Sequence, residues 1–100
     1  MQEKEIEKYL CKQVKEKLNG IAYKFTSPGR RAVPDRLCVV DGHCFFVECK
    51  ATGKYLTDAQ RREANRLEEL DQWVYMVNSK RKIDTLIKTW ELRQKDERRL

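Results

Sequence analysis

Asp35-Arg36-Leu37-Cys38-Val39-Val40-Asp41-Gly42-His43-Cys44-Phe45-Phe46-Val47-Glu48-Cys49-Lys50 decides how the rest of this chain is read. Two runs rich in β-formers flank Asp41-Gly42, the mark of a tight hairpin with a type I′ turn. The pattern predicts strands over 35–40 and 44–50. Side chains alternate along a strand, so Glu48 and Lys50 share a face. The hairpin brings Asp35, which follows Pro34, alongside them. Two carboxylates and an amine then converge. Carboxylates suit a hard divalent cation, and the amine can hold a phosphate or a hydroxide. Such a cluster suits metal-assisted phosphodiester hydrolysis. The second run is nearly all apolar up to Glu48, which predicts burial on both faces. A buried Glu-Lys ion pair alone brings little net stability after desolvation; a metal site explains the cluster better.

Working outward, Ile6, Leu10, Val14 and Leu18 recur every four residues, with Cys11 widening the stripe. This predicts an amphipathic helix over 2–18, stopped by Asn19-Gly20. Glu3 and Glu7 lie one turn apart on that helix, and either reaches a site at the helix start. Residues 21–26 alternate as a strand. Ser27 to Pro34 is a Pro- and Gly-bearing loop whose Arg30 and Arg31 are placed to grip phosphates. Downstream of the loop at 51–56, Thr57 and Gln60 form a capping box. In the helix they open, Ala64, Leu67 and Leu70 give the apolar stripe, and Arg61, Arg62 and Arg66 a basic face. Gln60 also stands where it supports the site. A strand is expected over 73–77. Ser79 then caps a last helix with Ile83, Leu86, Ile87 and Trp90 on one face, a core or dimer surface. The charged tail beyond Leu92, within 93–100, is expected to fray. His43 is read as a polar surface residue without a role.

One hundred residues suffice for one domain, read as spanning 1–100. A net charge of +6 and a pI near 9.3 favour a polyanionic partner. Four cysteines without a C-x-x-C pair and a single histidine argue against a zinc site and for reduced thiols. No apolar leader and no run long enough for a membrane span occur, so no membrane partner and a cytoplasmic, intracellular place are expected.

The order helix, strand, strand, strand, helix, strand, helix predicts an α/β fold, a central mixed sheet flanked by helices. Phe25-Thr26-Ser27-Pro28-Gly29-Arg30-Arg31-Ala32-Val33-Pro34-Asp35-Arg36-Leu37, then Phe46-Val47-Glu48-Cys49-Lys50, then Leu56-Thr57-Asp58-Ala59-Gln60, resembles the VRR-NUC family within the PD-(D/E)XK nucleases. The resemblance covers about residues 3–88 and is nearest to stand-alone, phage-type members. It implies a restriction-endonuclease-like αβββαβ core and a Mg²⁺- or Mn²⁺-dependent endonuclease. The implied substrate is branched double-stranded DNA, with a homodimer resolving Holliday junctions. Flap or nicking cleavage and a non-catalytic DNA-binding module are the alternatives. The family roles place Asp35, Glu48 and the Cys49 backbone carbonyl on the metal. Lys50 falls on the attacking water or the scissile phosphate, and Gln60 supports the site. Glu3, with Glu7 as the alternative, completes the acidic set. Arg30, Arg31, Arg36, Ser27 and Lys54 are expected to contact DNA.

Overall fold

Ile6, Leu10, Val14 and Leu18 form the buried face of α1 (Glu3–Leu18) in the computed structural model, which describes residues 1–98. The Glu5 carboxylate accepts the Gln2 N–H at the helix start, and Asn19 ends the helix in the left-handed region at φ 53°. Gly20 is required for its close approach. A Cβ there would lie 2.6 Å from the Val39 carbonyl oxygen.

The remaining elements are β1 (Ile21–Lys24), β2 (Arg36–Val40), β3 (His43–Cys49), α2 (Asp58–Glu69), β4 (Val74–Val77) and α3 (Lys80–Arg98). The sheet order is β1-β2-β3-β4; the first two pairings are antiparallel and β3-β4 is parallel. This is the expected mixed sheet flanked by helices. β1 is shorter than expected. The Phe25 N–H donates to the Asp35 carbonyl at 2.7 Å, and the chain then leaves the ladder with the Phe25 ring against Phe46. The hairpin has the expected two-residue loop, with Val40 paired to His43, but its turn is not type I′. Gly42 has φ 75°, whereas Asp41 is not among the residues of positive φ, so only the glycine enters the region a side chain disfavours.

The core occupies one face of the sheet. Cys38, Val40, Phe45, Val47, Cys49 and Val77 meet α1 and the Ile83, Leu86, Ile87 and Trp90 face of α3. Phe45 stacks on Trp90 with ring centroids 4.6 Å apart. Trp90, 1% exposed, is therefore core rather than dimer surface. The other face is more open than the apolar run of β3 suggested: Cys44 is exposed and Phe46 half-buried. Cys38 and Cys49 are buried, Cys11 is partly so, and all four cysteines are unpaired thiols. Burial pushes the Cys38 thiol up to about 12, so it stays protonated.

One expectation fails in the helices. The α2 stripe is incomplete: Ala64 is buried, but Leu67 is half-buried and Leu70 is 63% exposed. Its other buried residue is Glu63. The segment beyond Leu92 continues as helix to Arg98. Gln94 Nε2 donates to the Leu18 carbonyl at 3.4 Å, and Glu97 meets His43 Nε2 at 2.7 Å. The remainder of that tail, 99–100, lies outside the described residues. His43 thus joins the hairpin to α3, with its ring against Trp73 and Trp90. Among the described residues, no helix is long and apolar enough to cross a membrane.

Candidate active site

Asp35 enters the site through backbone pairing. Its carbonyl accepts from Phe25, and its Oδ2 accepts the Cys49 N–H at 2.9 Å. This second bond sets the Asp35 carboxylate beside the end of β3, at Glu48. Glu48 is 4% exposed. Burial first, then a hydrogen bond to Asp35 and its charge, raise the Glu48 carboxyl to about 9. Lys50 opposes the shift, and the charge of Glu3 adds to it. In the metal-free fold Glu48 thus keeps its proton at neutral pH. Lys50 is half-buried, its N–H held by the Val77 carbonyl at 3.0 Å.

Met1 and Thr52 tie the start of α1 to this end of the sheet. The Thr52 N–H donates to the Met1 carbonyl and the Met1 amine to Thr52 Oγ1, both at 3.0 Å. That attachment brings Glu3 within electrostatic reach of Glu48. Glu7 is committed elsewhere. Its carboxylate takes Arg36 Nε at 3.1 Å, with both side chains largely buried. Gln60 completes the expected capping box, its Oε1 accepting the Thr57 N–H and its N–H donating to Thr57 Oγ1. Its side-chain acceptor therefore serves the start of α2.

The expected DNA contacts divide. Arg31 is exposed, as is Lys54, and Ser27 is half-buried. Arg30 and Arg36 have structural partners instead. Arg30 Nε lies 3.0 Å from both Glu63 oxygens, and Nη2 2.9 Å from Oε1. This bidentate pair fastens the loop before Asp35 to α2. Besides its bond to Glu7, Arg36 donates from Nη1 to the Ala22 carbonyl at 3.2 Å, bracing α1 against β1 and β2. Glu63 escaped the sequence reading because a charged residue on a basic helix face carries no sign of its partner.

The residues fit a divalent cation in kind. A carboxyl that retains a proton because it is buried beside a second carboxylate is a place where a cation can replace that proton. Among the described residues, no three His, Cys, Asp or Glu side chains are grouped closely enough to hold a metal alone. A bound ion would draw on Asp35 and Glu48 together with backbone oxygen and water.

The mixed sheet carries an acidic pair and a lysine at one end, and comparison with known proteins relates the chain as a whole to nucleases. The chain is 31% identical to a solved structure described as a VRR_NUC domain, with a TM-score of 0.79, covering 86% of this chain and 94% of that one. It is 50% identical over 80 residues to "Putative nuclease p44" of Acyrthosiphon pisum secondary endosymbiont phage 1, covering 79% of this chain and 85% of the relative. No family model matches. The chain belongs to the VRR-NUC family.

Proposed function

We propose that this protein is a Mg²⁺- or Mn²⁺-dependent DNA endonuclease that cuts branched duplexes, four-way junctions foremost, as a homodimer. The observation that carries this reading is the buried Glu48 beside Asp35 and Lys50 at the end of β3. Asp35 and Glu48 would hold the ion, with the Cys49 carbonyl as the expected further ligand. The ion, when bound, would supply an activated water and charge neutralisation at the phosphate. The Cys49 N–H fixes the Asp35 carboxylate so that it need not reorganise. The charge of Lys50 beside the pair favours ionised Glu48 and places an ammonium where a scissile phosphate would approach. Glu3 adds negative charge at the mouth of the site.

Two features support the pairing of chains. One chain carries one such centre, and symmetric cutting of a junction needs two, which a twofold dimer supplies. The open sheet face also carries an apolar patch. Ile21 and Val39 are cross-strand partners, and Ile21 and Tyr23 are each 54% exposed. A second copy seated there would cover it.

The test is a panel of labelled four-way junction, flap and linear duplex, with Mg²⁺, Mn²⁺ or EDTA, alongside sedimentation. Metal-dependent cutting strongest on the junction, by a dimer, is expected. Flap cutting alone would change the substrate, and binding without cutting under every metal would favour a non-catalytic module. A monomer bound to the junction would end the paired-site reading.

A further inference from the structure

A groove of about 650 Å³ runs between the loop before Asp35 and α2. Gly29, Arg31 and Ala32 form one wall, and Ala59, Arg62 and Arg66 the other, with the Arg30–Glu63 pair spanning them and Glu69 lying at one end. Its loop wall leads into the candidate centre, since Ala32 is three residues before Asp35. Among the described residues, no ion pair engages Arg31, Arg62 or Arg66, and all three are exposed. Arg62 and Arg66 stand one helical turn apart, about 6 Å along the axis. From Ala59 to Glu69 the helix runs about 15 Å, long enough to follow more than one phosphate of a strand.

We infer that this groove binds the phosphodiester backbone of one DNA strand beyond the cut, with Arg31, Arg62 and Arg66 as its phosphate contacts. The inference rests on the proposed action on DNA. Arg30 has a different task here from phosphate binding. Its planar guanidinium spends Nε and Nη2 on Glu63, and so holds the two walls at a fixed separation. Glu69, an acid at one end, repels phosphate and limits the track. The strand therefore runs along α2 rather than across α1 or α3.

The experiment measures binding of a labelled four-way junction to Asp35→Asn protein at several salt concentrations. The same measurement is made with Arg62→Ala/Arg66→Ala added, and with the charge-matched Lys88→Ala/Lys95→Ala on α3. Each phosphate contact contributes about 0.9 to the slope of log K against log salt. The groove pair is expected to lower that slope by about 1.8 and to weaken binding at low salt by roughly tenfold per arginine. The α3 pair is expected to leave the slope unchanged. Equal slopes for the groove variant and its parent overturn the groove while leaving the nuclease reading intact. A slope lowered equally by the α3 pair also overturns it, since general charge would then be the cause. Inorganic phosphate that competes fully at low millimolar concentration would show a single-anion pocket and overturn the strand track. Failure of the wild-type protein to bind or cut DNA at all would instead remove the reading on which the groove rests.

Discussion

Replacing Glu48 with glutamine should flatten the pH dependence of stability in the metal-free protein. In the fold, burial and Asp35 raise the Glu48 carboxyl to about 9. In the unfolded chain a glutamate titrates near about 4.3. Between these values the folded protein binds one proton more than the unfolded one, so its stability falls as pH rises. The contribution is fully present below about pH 4 and is lost by about pH 9. One proton corresponds to about 1.4 kcal/mol per pH unit, so the change from about pH 6 to about pH 8 has a ceiling of about 3 kcal/mol. Solvent on the Asp35 side of the pair reduces this to about 1–2 kcal/mol. For a domain of this size each kcal/mol moves Tm by about 4–8 °C, giving a drop of roughly 4–16 °C. The substituted glutamine would keep a donor for Asp35 but would not titrate. Scanning calorimetry of EDTA-treated wild-type and Glu48→Gln protein at pH 6, 7 and 8 isolates the difference, because the other groups are common to both. Parallel Tm curves would refute the reasoning.

Other consequences follow from the same geometry. Cation and proton compete for Glu48, so Mg²⁺ or Mn²⁺ affinity, read by titration calorimetry, should strengthen as pH rises towards 9; pH-independent affinity would count against Glu48 as a ligand. Trp90→Ala empties a site in which the ring is stacked on Phe45, and urea unfolding should show a loss of about 3–5 kcal/mol. Glu3→Ala should lower the cleavage rate with little change in Tm, whereas Glu7→Ala, which strands the largely buried Arg36, should lower Tm first. The reverse ordering in paired cleavage and melting assays would make Glu7 the partner of the site.

What the sequence revealed follows the range of the interactions. The four-residue period of Ile6, Leu10, Val14 and Leu18, the stop at Asn19-Gly20 and the capping box of Thr57 and Gln60 are local patterns, and each appears in the fold. The meeting of Asp35 with Glu48 was legible because a short hairpin joins their strands. The partners of Arg30 and Arg36 lie 33 and 29 residues away, and no local rule distinguishes a strut from a phosphate contact. The α2 stripe misled for the opposite reason. Periodicity marks a face able to be buried, but Leu70 stays exposed while Glu63 is covered because Arg30 reaches it. His43 in its turn was similarly opaque, since its setting depends on Trp73, Trp90 and Glu97, all far along the chain.

The decisive measurement is the single-turnover rate at which wild-type and Asp35→Asn protein cut a four-way junction in Mg²⁺. The two side chains are isosteric, and the carbonyl oxygen of the substituted asparagine still accepts the Cys49 N–H, so the fold and DNA binding should survive. The rate should fall by at least about 100-fold, as expected when a charge that holds the metal is removed. Cutting by Asp35→Asn at the wild-type rate would contradict a metal-dependent centre at Asp35 and Glu48.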